Sequence, residues 1–278
     1  MSKFITALLT ALFLSGAFIK PALAVQGSWS MTDEVRARLL SASRDIGPQT
    51  ASVDLLLEVQ MSEGWHSYWK VSGDAGLPPR FDWSGSDNIE KVDIFWPTPH
   101  RMAELDFQIF GYKDAVSFPV RLTLKEPGKP VQAALRLDIM VCEHICIPQT
   151  LDVSVALEAG EGKDSGMKRI VGAAMDKLPS QENTPTIGIE TIVAGPQALA
   201  VSAYAANGFE QADIFAAIDG FGFTAPPVIQ IDETDTRKAM ITLPKPDDIE
   251  NLTDFLTGKT LSLTLVAGNA AVEREQVF

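Results

Sequence analysis

The chain has 278 residues, a formal net charge of −13 and a hydrophobic fraction of 46%. That acidic balance argues against a nucleic-acid partner, whose phosphates demand clustered Lys and Arg, and against adhesion to anionic lipid. The length is enough for one large domain or two of ordinary size.

At the start, Lys3 precedes an uncharged apolar run over 4–18, and Ala22-Leu23-Ala24 supplies a small-residue cleavage signature. That order predicts a secretory signal peptide over 1–24. The run is shorter than the roughly 20 apolar residues a span requires, and Lys20 closes it. Cleavage would leave 21 basic against 36 acidic residues, a net charge of −15. The expected product is a periplasmic protein that does not itself span the membrane.

Apolar runs or alternation with period two then predict strands over 35–39, 53–59, 116–124, 131–141 and 151–157. In Leu135-Arg136-Leu137-Asp138-Ile139 one face is dry and the other wet. Pro127-Gly128-Lys129 is a turn. Residues 158–168 are small and charged, as a linker should be, and 167–178 predict a short helix with Ile170, Val171, Ala174 and Leu178 on one face. Strands return over 186–193, 198–205, 228–231, 238–243 and 260–266. All five Trp, all three His and both Cys precede residue 150, which separates two halves by composition. The expected fold is all-β: a β-sandwich over 25–160, a linker over 161–185 and a second sandwich over 186–278.

The chemistry concentrates in Cys142-Glu143-His144-Ile145-Cys146. In an oxidising compartment two thiols pair if geometry allows. Four residues of extended strand cover about 13 Å, whereas a disulfide needs Cα atoms within about 7 Å. The segment must therefore turn at the end of a strand. As a staple, so short a ring contributes only about 2 kcal/mol in the chain-entropy model. An exposed short ring is also readily reached by another thiolate. Protonated His144 would favour a thiolate at either cysteine, and Glu143 would oppose it. Spacing alone does not choose between staple and redox centre. A Cu(I) site with Cys142, His144 and Cys146 as soft ligands is a third reading.

A resemblance adds to this. The blocks GWHSYWK (64–70), GDAGLPP (73–79) and FDW (81–83) are followed in order by WPTP (96–99), FGY (110–112), FPV (118–120) and the cysteine segment 141–148. Together they resemble the amino-terminal periplasmic domain of the DsbD family, closest to its ScsB (suppressor of copper sensitivity B) branch, over roughly 29–157. The second half resembles the companion β domain of that branch. The resemblance implies an immunoglobulin-like fold and a cysteine pair, matched by Cys142 and Cys146, that carries electrons by thiol–disulfide exchange. Its partners would be periplasmic thiol–disulfide proteins. Family members also cover the pair with an aromatic cap loop, for which Asp106-Phe107 or Phe110-Gly111-Tyr112 is the counterpart. This chain carries neither a transmembrane conduit nor a thioredoxin-like Cys-x-x-Cys domain, so a separate membrane-embedded protein would supply the electrons. The expected function is thus protein-disulfide reductase-like interchange; the alternative is a non-enzymatic copper-binding or protein-binding module with a structural disulfide.

The remaining residues have structural readings. Trp65, Tyr68, Trp69, Trp83 and Trp96 are expected in the core, His66 and His100 at the surface or hydrogen-bonded, and Asp232–Asp235 in a solvated turn. Phe221-Gly222-Phe223 is expected to pack between the halves.

Overall fold

Alternating side chains dominate the computed structural model, which describes residues 25–104 and 106–278; the expected signal peptide lies outside them. The first half contains β1 (Ser30–Met31), β2 (Val35–Ser41), β3 (Ser52–Met61), β4 (His66–Gly73), β5 (Arg80–Asp82) and β6 (Ile89–Ile94). It continues with β7 (His100–Glu104), β8 (Phe107–Lys113), β9 (Ala115–Leu124), β10 (Val131–Cys142) and β11 (Cys146–Leu157). Helix α1 (Lys168–Met175) follows. The second half contains β12 (Ile187–Ala194), β13 (Ala198–Ala205), β14 (Ala212–Ile218), β15 (Phe221–Gly222), β16 (Val228–Ile231) and β17 (Lys238–Pro244). It ends with α2 (Leu252–Leu256), β18 (Thr260–Ala267) and β19 (Ala270–Val277).

The first half forms two sheets, one ordered β1-β2-β3-β9-β6 and the other β11-β10-β4-β8-β7, with β5 paired to β10. Their facing sides meet through Leu55, Leu57 and Val59 of β3, Phe118 and Val120 of β9, and Leu135, Leu137, Ile139 and Val141 of β10. The second half repeats the plan with sheets β12-β13-β17-β16 and β15-β14-β18-β19. Its core holds Ile189, Val201, Ile241, Ile214, Leu263 and Leu265. The fold is all-β, two immunoglobulin-like sandwiches in tandem. Helix α1 lays Val171 on Leu40 and Leu56, while Ile170, expected on its inner face, is 40% exposed.

Polar and aromatic contacts join the halves. Arg101 of β7 donates from Nε and Nη2 to the Asp213 carboxylate at 2.9 and 3.1 Å, and from Nη1 to the Thr224 carbonyl at 2.7 Å. Phe215 of β14 meets Phe110 and Trp69 edge-on, at centroid separations of 5.1 and 5.8 Å. Lys70 of β4 is paired with Glu273 of β19. Gly222 lies so close to Val71 that a Cβ there would fall 2.6 Å from Val71 Cγ1. Within the triplet Phe221-Gly222-Phe223 it is the glycine that makes this junction; Phe223 is buried in the second core and Phe221 packs on Phe255.

Candidate redox site

Strand β10 sends its odd-numbered residues 135 to 141 into the sandwich, so Arg136, Asp138, Met140 and Cys142 occupy its outer face. At Cys142 the chain turns through Glu143, His144 and Ile145 and returns as β11, with Cys146 directly opposite Cys142. The two cysteines form a disulfide across this hairpin with Cα atoms 4.1 Å apart. The required turn is therefore a β-hairpin loop, closed by Glu143 N–H donating to the Ile145 carbonyl.

The two sulfur-bearing residues have unlike surroundings. Cys142 is 1% exposed although it lies on the outer face, and Cys146 is exposed. The cover over Cys142 comes from Tyr68, Ile109, Met102 and Met140, a small apolar cluster separate from the sandwich core. Tyr68 Oη lies 2.9 Å from Cys142 Sγ and 3.6 Å from Cys146 Sγ. Burial, reinforced by the Glu104 carboxylate, pushes the Tyr68 phenol up to about 12, so it stays a hydrogen-bond donor through the physiological range. Gly76 lies against its ring: a Cβ there would sit 2.0 Å from Tyr68 Cε1.

The β7–β8 hairpin completes the enclosure. Glu104 pairs with Phe107 at its tip, and His66 pairs with Lys113 at the far end of β8. The Glu104 carboxylate nonetheless reaches within 3.3 Å of His66 Nδ1. Because those ladder positions are six residues apart along β8, the hairpin must arch back over the outer face. A register irregularity between Tyr68 and Gly73 on β4 accompanies the bend. His66 is 2% exposed and stands directly opposite Cys142 in the ladder. Of the two expectations for His66, surface or hydrogen-bonded, burial removes the first: the arched hairpin and Tyr68 cover it. Tyr68, expected in the core, belongs instead to the outer-face cluster around the sulfurs.

Residues 36–157 match the family model described as thiol:disulfide interchange protein DsbD, N-terminal. This stretch is a DsbD N-terminal domain. Residues 177–278 match a domain of unknown function, DUF8393. Among solved structures the chain is similar to the N-terminal periplasmic domain of ScsB from Proteus mirabilis, at 20% identity over 91% of this chain and 98% of that one, with a TM-score of 0.65. At that identity the likeness establishes the fold. A marsupial T cell receptor also matches, at 9% identity over 86% of this chain and 62% of that one, but its TM-score of 0.24 carries no weight. No curated protein sequence matches.

Within the DsbD N-terminal domain, the candidates for the cap separate. Phe110 is fully buried beneath Arg101 and Phe215. Tyr112 is buried against Phe118 and donates to the Pro97 carbonyl at 2.8 Å. Both belong to the core and neither covers the disulfide; Gly111 between them faces Ser67. Asp106 and Phe107 instead lie at the tip of the arched hairpin, with Phe107 48% exposed. The His144 ring is 91% exposed, with Nε2 4.0 Å from a Glu143 oxygen. Among the described residues, no group of three or more His, Cys, Asp and Glu is arranged to hold a metal ion, and no helix is long and apolar enough to cross a membrane.

Sequence reasoning missed Tyr68, His66, Glu104 and Met102 as site residues. One signal was available. His66 and Tyr68 are two apart on a strand and share a face, and a His and a Tyr side by side would be unusual as plain core.

Proposed function

We propose that this chain is a periplasmic thiol–disulfide interchange protein, with Cys142 and Cys146 carrying two electrons between partner proteins. The observation that carries the reading is the asymmetry of the pair: one cysteine exposed on a hairpin, its mate buried against a tyrosine hydroxyl. An incoming thiolate reaches Cys146 first, forms a mixed disulfide there, and leaves Cys142 as the departing sulfur. In the opposite direction the Cys146 thiolate attacks and Cys142 resolves. Tyr68 donates a hydrogen bond to whichever charge develops on Cys142, in surroundings where such a bond is worth more than in water. Asp106 and Phe107 act as the cap, and Glu143 and His144, at the solvent side of the loop, adjust which partners approach. A separate membrane-embedded protein supplies electrons, and periplasmic disulfide proteins receive them.

Trapping tests this directly. Cys142→Ser leaves Cys146 able to attack and unable to be released, so it should accumulate a covalent partner in periplasmic extracts; Cys146→Ser should accumulate far less. If neither variant traps a partner, and the reduction potential lies well below about −300 mV, where structural disulfides fall, the bridge is a staple and the proposal fails.

A further inference from the structure

The His66 imidazole has one nitrogen accounted for and one not. Glu104 Oε1 lies 3.3 Å from Nδ1, while Nε2 is buried without a hydrogen-bond partner among the described residues. A carboxylate only accepts, so its approach favours the ring proton on Nδ1, the tautomer in which Nε2 presents a bare lone pair. Burial lowers the imidazole pKa below its ordinary value; Glu104 opposes that shift and Lys113 adds to it. An orphaned buried acceptor is costly, and each one in a native structure needs a reason.

The reason offered by the geometry is the state of the neighbouring sulfur. His66 and Cys142 are directly opposed across β4 and β10, and the Cβ atoms of such pairs are about 4.5–5.5 Å apart on one face. Tyr68 stands on that face too, edge-on to the imidazole at 5.4 Å and in contact with Cys142 Sγ. A disulfide sulfur has no proton to donate. Reduction gives Cys142 an S–H, and that is the donor the buried lone pair lacks.

We infer that His66 is the proton acceptor for Cys142 during exchange, held in the required tautomer by Glu104. This rests on the redox reading above and deepens it. In the reduced protein the Cys146 thiolate attacks a partner disulfide, bonds one partner sulfur and expels the other as a thiolate. Cys142 then gives its proton to His66 Nε2 while its sulfur bonds Cys146 Sγ. The mixed disulfide breaks, and the second partner thiolate leaves with the electron pair. Two electrons have left the dithiol, and the proton rests on an imidazolium facing the Glu104 carboxylate. In the reverse direction the imidazolium returns the proton to the departing Cys142 sulfur. Glu104 from β7, Lys113 from β8, Tyr68 from β4 and Cys142 from β10 are the groups around the ring, with Glu143 next in the chain. Glu104 favours the imidazolium and Lys113 opposes it, so the proton is held only transiently.

The test uses the full-length protein and a chromogenic aromatic disulfide, which releases one coloured thiolate when Cys146 attacks and a second when Cys142 resolves. His66→Phe should slow the second release about 10²-fold, the lower range for general acid–base catalysis, and leave the first within about twofold. Nitrogen NMR of the wild-type imidazole supplies an arm that needs no variant: the Nε2 resonance should move on reduction as it gains a hydrogen bond. An unchanged second release, or an Nε2 resonance identical in both redox states, overturns the inference. Should His66→Phe fail to fold, the NMR comparison decides alone. Neither arm needs a cellular partner, so a failure here is read separately from a failure of the trapping experiment and the reduction potential that test the interchange reading.

Discussion

Tyr68→Phe isolates the effect of one hydroxyl. The ring, which fills the space against Gly76, is retained, and only the oxygen 2.9 Å from Cys142 Sγ is lost. In the oxidised protein that oxygen faces a neutral disulfide sulfur, a weak acceptor. In the reduced protein it faces a sulfur able to carry negative charge, and hydrogen bonds to charged groups are worth about 1.5–3 kcal/mol. The hydroxyl therefore stabilises the reduced state more than the oxidised one. For a two-electron couple 30 mV corresponds to about 1.4 kcal/mol, so the variant's reduction potential should fall by roughly 30–60 mV. Equilibration against glutathione, with the fraction reduced read by thiol alkylation, measures this. The shift should grow with pH as Cys142 ionises, since the phenol remains a donor up to about 12. A potential that is unchanged, or that rises, would show that Tyr68 is only packing, and the account of the site would fail.

Three further outcomes follow from the same geometry. Gly76→Ala forces a Cβ into the Tyr68 ring at a position where φ is +92°; backbone strain and overpacking of about 1–3 kcal/mol each predict a loss of about 2–6 kcal/mol in urea unfolding. Arg101→Ala leaves Asp213 without its bidentate partner and should cost about 2–3 kcal/mol, somewhat less than a fully buried pair. Because Arg101 sits on β7, amide exchange should accelerate in β7 and β8; unaltered exchange there would mean the second sandwich does not anchor the hairpin. His66 gives a pH signature. Its folded pKa is depressed by burial, so its contribution to stability is complete above the ordinary imidazole value of about 6.5 and is lost as pH falls through the folded value. Urea midpoints of wild type should decline below about pH 6.5 more steeply than those of His66→Phe; parallel curves would place the imidazole in solvent.

Much of this molecule was legible in local pattern. Apolar runs or alternation located β2, β3, β9, β10, β12, β13, β16, β17 and β18 to within a few residues; where one face is dry, a strand writes that face into every second residue. Besides the short β1, β5 and β15, the strands that escaped notice, β4, β6, β7, β8, β14 and β19, have mixed faces. In β4 both sides are covered, one by the sandwich core and the other by the hairpin or the second half, so Ser67, Tyr68 and Trp69 are all buried and no period survives. Three FGY residues point the same lesson: the block was visible, but Phe110 and Tyr112 turned out to be core because the Phe215 ring and the Pro97 carbonyl, remote in sequence, receive them.

The chain's own order of residues determined that the two cysteines had to meet at a bend, since covalent geometry admits no bridge along an extended strand. It also determined the sandwich-forming strands, since hydrophobic burial acts on each strand separately. Only the tertiary structure decided that Cys142 is buried while Cys146 is exposed, and that Tyr68, His66 and Glu104 gather around the buried one. Those neighbours come from β4 and β7, some 40 to 75 positions away, and they converge because one hairpin bends back over a sheet. A bend of that kind is set by packing against Asp213, Thr224 and Phe215 in the other half, and side chains so distant leave no trace in the local sequence around the cysteines.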